Sequence, residues 1–177
     1  LRTLQPLILA ANIRDTDLEP FDQLRQRHFP PDRNFLRAHL TMFHRLPGEY
    51  LQQVVQQVVE VAAGNTAITA NVSGLRHFGA GVAFTIASPE LQDIHARLRE
   101  AFMPWLGGQD MQKWQPHITI QNKVSRSAAD SLHAALAREF QPSAIQITGL
   151  DLWRYLGGPW QHEKTVLFDT ITEPGTA

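Results

Sequence analysis

The chain has 177 residues, 43% of them hydrophobic, which is enough for one globular domain with a sizeable core or for two small fused lobes. With 16 basic against 17 acidic residues and a formal charge of −1, it has no global field to drive it onto a nucleic-acid backbone, so an anionic ligand has to be held by local groups. Having no cysteine excludes disulfides, thiol nucleophiles and thiolate metal sites, and it leaves the cytoplasm as the default compartment.

In chain order, residues 6–13 are a short apolar run that reads as a buried strand. Its centre from Leu7 to Ala11 is far shorter than a membrane-spanning helix and lacks the cleavage-site context of a secretory signal. Asp15, Thr16 and Asp17 are N-cap candidates for a helix with Leu18, Phe21, Leu24 and His28 on one face, His28 closing it. Phe29-Pro30-Pro31-Asp32 breaks the chain, and residues 33–38 lead into a strand bearing His39-Leu40-Thr41-Met42. Strand parity puts His39, Thr41, Phe43 and Arg45 on one face, opposite Leu40 and Met42. His44 falls on the other face and is assigned no catalytic part. After Pro47-Gly48, the positions Leu51, Val54, Val55, Val58, Val59 and Ala62 line one side of an amphipathic helix that stops at Gly64-Asn65.

Residues 67–72 and 81–87 read as paired strands joined through a turn that carries Arg76, His77 and Phe78. Ser88-Pro89 opens a helix whose apolar face holds Leu91, Ile94, Leu98 and Phe102, with His95 among them as a core histidine. Trp114-Gln115-Pro116-His117-Ile118-Thr119-Ile120 is a second His-x-Thr strand, begun by a proline that cannot donate to a sheet ladder. Ser125 caps a further helix, residues 144–155 extend as a strand through Gly149-Leu150, and after Gly157-Gly158-Pro159 residues 165–171 return as its partner. Residues 172–177 are a polar tail.

Both halves therefore run through a His-x-Thr strand, an amphipathic helix and a strand pair with a Gly-Leu step. The offsets from histidine to glycine are 74 − 39 = 35 and 149 − 117 = 32 residues. This pattern reads as an internal duplication within a single bilobal domain over 1–177, its lobes related by a pseudo-two-fold axis. Such an axis brings His39 and His117 to one cleft although they are 117 − 39 = 78 residues apart. The expected fold is α+β: a duplicated bilobal arrangement with two antiparallel sheets forming a central cleft and helices packed on the outside.

On His39-Leu40-Thr41-Met42, Pro116-His117-Ile118-Thr119-Ile120 and the order of elements, the chain resembles the two-histidine (2H) phosphoesterases, which include 2′-5′ RNA ligase-like proteins and 2′,3′-cyclic nucleotide phosphodiesterases. The resemblance implies that His39 and His117 face one another as general acid and base, and that Thr41 and Thr119 hold the phosphate. It implies metal-independent phosphodiester chemistry on 2′,3′-cyclic phosphates or 2′-5′ linkages of RNA or nucleotides, reversible in the ligase direction. An imidazole near its ordinary pKa of about 6.5 can take or give a proton at neutral pH, and a hydroxyl can donate to phosphate oxygens where charge develops. His39, His44, His77 and His117 show no metal-ligand spacing, and no metal or cofactor is expected.

Substrate-binding candidates are Phe43 and Gln121, by parity with the motif residues. Arg76 and Phe78 in the first hairpin and Trp153, Arg154 and Tyr155 in the second join them, since cations suit phosphate and rings suit bases. Arg45 and Lys123 lie six residues beyond the motif histidines, roughly 20 Å along an extended strand, and reach flanking nucleotides at most. The expected partner is a nucleotide or RNA terminus, met by a monomer with no membrane contact and no obligate protein partner. The alternative is a non-catalytic module that binds RNA ends or nucleotides in the same cleft; binding alone does not require two proton-transfer groups.

Overall fold

In the computed structural model, residues 3–170 are described. Ile171, the expected end of the last strand, and the tail 172–177 lie outside the described residues. The elements are β1 (Leu7–Ile13), α1 (Asp15–His28), β2 (Thr41–Leu46), α2 (Leu51–Ala62), β3 (Ile68–His77), β4 (Val82–Ala87), α3 (Pro89–Phe102), β5 (His117–Gln121), α4 (Arg126–Glu139), β6 (Ser143–Tyr155) and β7 (Trp160–Leu167). The architecture is the expected α+β, with antiparallel strands backed by helices. The strands of the two halves join edge to edge, β6 with β3, into one sheet of order β2-β1-β6-β3-β4-β5, with β7 on β6. Exchanging β1 with β4, β2 with β5 and β3 with β6 leaves that order unchanged.

The sheet curls. Were it flat, its end strands β2 and β5 would lie five spacings of about 4.8 Å apart, or ~24 Å. Yet the indole N–H of Trp114, just before β5, donates to the carbonyl of Thr41 at the start of β2 at 3.1 Å. Both His-x-Thr segments are therefore on edges that come round toward each other. Helix α1 packs on β5 and β6, α4 on β3 and β4, and α2 on α3.

Local chemistry fixes the helix starts. Ser88 and Ser125 each accept a backbone N–H of the first turn at 3.1 Å, from Leu91 and Ala128, a cap worth about 1 kcal/mol. Helix α1 departs from the expectation: it begins after Arg14 with no side-chain cap. Asp17 instead accepts from the backbone N–H of Gln146 at 2.8 Å and ties the helix to β6.

Strand parity fails at the same point in both motif strands. Thr41 pairs with Ala10 and Phe43 with Leu9; Thr119 pairs with Ala83 and Gln121 with Val82. Two residues on each motif strand thus oppose one step on its partner, a β-bulge just past the threonine. Met42 and Phe43 are both buried, as are Ile120 and Gln121. Phe43 is therefore a core residue, 0% exposed, and not a base-stacking ring as parity suggested. Gln121 is likewise 5% exposed, and its Oε1 is buried without a partner.

His95 is the core histidine the sequence suggested. Its ring is sandwiched between Phe43 (centroids 4.5 Å, planes at 5°) and Trp114 (4.1 Å, 7°), and its Nε2–H donates to the Met42 carbonyl at 3.2 Å. Burial pulls its pKa down to about 4. Unfolding frees the ring to take up a proton below about 6.5, so the stability it contributes is present above that pH and is lost as pH falls toward 4. Urea denaturation at pH 7 and pH 4.5 is expected to show a loss on the order of 3 kcal/mol over that window, and His95→Phe to flatten it. An unchanged acid slope in that variant would remove His95 as the cause.

Candidate active site

The two motif histidines are oriented alike. His39 Nδ1–H donates to the carbonyl of Arg37 at 2.8 Å, and His117 Nδ1–H to that of Gln115 at 2.7 Å, each two residues back along the chain. A carbonyl can only accept, so Nδ1 carries the proton in both rings and Nε2 is left as the nitrogen for a ligand. Each motif threonine lies opposite an alanine, Ala10 or Ala83; cross-strand partners share a face, so the partner strand sets only a methyl beside each hydroxyl.

Helix α1 and Trp114 hold the two segments in place. Asp22, 3% exposed, accepts the backbone N–H of Ala38 at 2.8 Å, immediately before His39. Arg37, whose carbonyl orients His39, pairs with Asp15, Glu19 and Asp22 at 3.3–3.5 Å along the same helix. Arg25, 4% exposed, spans both segments: it donates to Leu36 O at 3.2 Å, to Asn34 Oδ1 at 3.0 Å and to Thr119 O at 3.1 Å. Sequence reasoning missed Asp22 and Arg25, because polar residues on a surface helix read as its wet side.

Burial and neighbouring charges set the state of both rings. Burial pulls His39 down to about 4, and the charges of Arg25, His117 and His44 add to the effect against the hydrogen bond to Arg37. His117 is lowered by burial, with Arg76 and His44 adding and the Gln115 bond opposing. Both imidazoles are thus neutral at pH 7, each with an unprotonated Nε2. A pair of this kind can accept a proton on one side of a bound group and, once one ring is charged, return it on the other.

The two motif histidines line different cavities, and neither cavity holds both, where the sequence led to one shared cleft. One, of about 330 Å³, is lined by His117, Thr119, Arg76, Phe78, His44 and Asn122 among others. The other, of about 570 Å³, is lined by His39 with Trp153, Trp160, Asp151, Phe35 and Leu36 among others. The Trp160 ring lies 4.6 Å from that of His39. Arg76, Phe78 and Trp153 are therefore on cavity walls beside the histidines, whereas Thr41 lines neither cavity. Arg154 is committed elsewhere, to Glu163 at 2.7 Å, and Tyr155 lines a third hollow that shares His44 with the first cavity and Trp160 with the second. Arg45 points its guanidinium to the Thr3 carbonyl.

His44 is the main residue that parity hid: the bulge turns it onto the wall beside His117. Asp110, from the loop before β5, accepts His44 Nδ1–H at 3.0 Å and the backbone N–H groups of His44 and Arg45 at 2.8–3.0 Å. Burial works against its charge, but these bonds prevail and hold its carboxyl below the usual range. Among the described residues no helix is long and apolar enough to cross a membrane.

The sequence matches the model of the 2′-5′ RNA ligase superfamily over residues 13–159. No curated protein matches it in sequence. Among solved structures, Escherichia coli LigT complexed with 3′-AMP aligns with a TM-score of 0.63 at 17% identity, over 93% of this chain and 98% of that one. TT0787 of Thermus thermophilus aligns with a TM-score of 0.66 at 15% identity, over 94% and 100%. A protein described as a phosphoesterase aligns with a TM-score of 0.62 at 17% identity, over 93% and 98%. At these identities the likeness is one of fold.

Proposed function

The chain belongs to the 2′-5′ RNA ligase superfamily, that of the two-histidine phosphoesterases, and we propose that within it the chain is a metal-independent phosphodiesterase for 2′,3′-cyclic phosphates or 2′-5′ linkages of RNA or nucleotides. His39 and His117 are its general acid and base, and Thr41 and Thr119 donate to the non-bridging phosphate oxygens. The observation that carries this reading is the matched pair of Nδ1–H bonds at 2.8 and 2.7 Å, which leaves Nε2 of each ring for a ligand, one just before β2 and one at the start of β5, the edge strands related by the sheet's own order. That order, with alanine opposite each threonine, also supports a single duplicated domain over the chain.

In the forward direction one Nε2 takes the proton of the attacking oxygen, a water for hydrolysis, as it adds in line to phosphorus. The other imidazole, neutral in the free protein, takes up a proton from solvent at Nε2 as the anionic phosphate binds beside it, and gives that proton to the departing ribose oxygen. Charge gathering on the phosphoryl oxygens is met by the two hydroxyls. Two imidazoles supply both proton transfers, so the step calls for no Lewis acid. The presence of 3′-AMP in a LigT structure supports a nucleotide or RNA end as ligand, and Trp153 and Trp160 are suited to stack its base.

Wild-type protein is expected to turn over adenosine 2′,3′-cyclic phosphate in excess chelator at the rate seen without it. Saturable binding without turnover, across cyclic nucleotides and 2′-5′ oligonucleotides, would make the chain a binding module instead. Thr41→Ala and Thr119→Ala are each expected to lower kcat by about 10- to 100-fold with little change in KM, somewhat less than loss of a fully preorganised oxyanion donor. A rise in KM alone would assign the hydroxyls to ground-state binding.

A further inference from the structure

Building on the phosphodiesterase reading, we propose that the cavity beside His117 is a subsite for a second phosphate on the same nucleotide, held by Arg76 and Lys113. The preferred substrate then carries a phosphomonoester in addition to the reacting diester. The argument starts from an asymmetry. Strand order and the threonine–alanine pairs make the two halves alike, yet the walls beside the two histidines differ in kind. Beside His39 stand Trp153, Trp160, Phe35 and Leu36, and the two cations there, Arg14 and Arg37, are ion-paired; beside His117, with Phe78 and Trp114, stand Arg76 and Lys113, unpaired among the described residues, and the amide of Asn122. Rings suit a base, and cationic donors suit a phosphate.

The cationic wall has more charge than one diester needs. A cyclic diester brings a single negative charge, whereas a phosphomonoester adds about −1.5 to −2. Arg76 and Lys113 form no ion pair among the described residues. Asp110 is the one acidic residue on this wall, and it does not oppose an anion there. Its side chain is 2% exposed, and its oxygens are taken by His44 Nδ1–H and by the backbone N–H groups of His44 and Arg45. What it does is fix the imidazole. With Nδ1–H donating to Asp110, Nε2 faces the cavity and accepts from the side-chain amide of Gln109 at 3.2 Å, so that His44 shapes the wall and the phosphate's donors are Arg76 and Lys113. A buried carboxylate that only braced the bulge would need the backbone donors alone; the bond to Nδ1 orients a ring.

Calorimetric titration of the full chain with adenosine 3′-monophosphate and with adenosine 3′,5′-bisphosphate tests the subsite without requiring turnover. The bisphosphate is expected to bind at least about tenfold more tightly. That ratio is expected to shrink several-fold in Arg76→Gln and in Lys113→Gln, and to fall as salt is raised. Equal affinities in the wild type, no binding of either nucleotide, or a ratio that survives both substitutions would overturn the proposal. The wild-type ratio decides even where a variant fails to fold. A ratio of one in a protein that hydrolyses the cyclic nucleotide leaves the phosphodiesterase reading standing and removes the subsite. A tenfold ratio without turnover does the reverse.

Discussion

His39→Ala and His117→Ala are each expected to lower kcat for a 2′,3′-cyclic nucleotide by roughly 10²–10⁴, the usual worth of a positioned general acid or base. Substrate affinity is expected to change far less, because the phosphate keeps its two threonine donors. Each ring is half-buried and spends Nδ1–H on one backbone carbonyl, so the loss of stability is limited to about 1 kcal/mol for that bond. Near-wild-type turnover by a folded variant at either position would remove that histidine from the chemistry. The pH profile adds a directional check. Both imidazoles lie below their ordinary value, His39 at about 4, so the acid limb of kcat/KM, where the base gains a proton, is expected below about pH 6.5. A limb above that value would contradict this assignment of the base.

The second large effect is expected at Arg25. Its guanidinium is buried, with its pKa lowered to about 10 by burial, and Asp22 beside it works in the other direction. Truncation to alanine strips the donor from three oxygens, those of Leu36, Thr119 and Asn34, and leaves the buried Asp22 with less countercharge. Breaking one side of such an arrangement costs about 3–5 kcal/mol, which urea denaturation would read as a marked drop in midpoint. The consequence for activity separates positioning from mere stability. Arg25 ties the segment before His39 to the backbone of Thr119, so Arg25→Lys, charged but unable to form the three-way fork, is expected to fold and yet lose kcat. Full activity in a folded Arg25→Lys would make the arginine a stability element only.

The family and the order of elements were legible in the sequence because they reside in residue types and short spacings: His39 with Thr41, His117 with Thr119, and the same elements after each. Positions set by pairing were not. The parity rule put His39 on a strand that starts only at Thr41, and it misplaced Phe43, Gln121 and His44 because a bulge is a property of two strands and leaves no mark on one. The link between His44 and Asp110 spans 110 − 44 = 66 residues and has no local signature. Arg154 read as a cleft cation until its hairpin neighbour Glu163 was placed across from it. Trp160, in contact with His39, follows a glycine-proline turn where the extended pattern lapses.

The central claim is that His39 and His117 act on one phosphate as one acid–base pair, and the double variant His39→Ala/His117→Ala tests it most directly. Groups that serve the same step are strongly non-additive, so the account predicts single-turnover rates for the double variant close to those of the slower single variant. Losses that multiply, each substitution costing its full factor in the presence of the other, would show two histidines working independently and would contradict it.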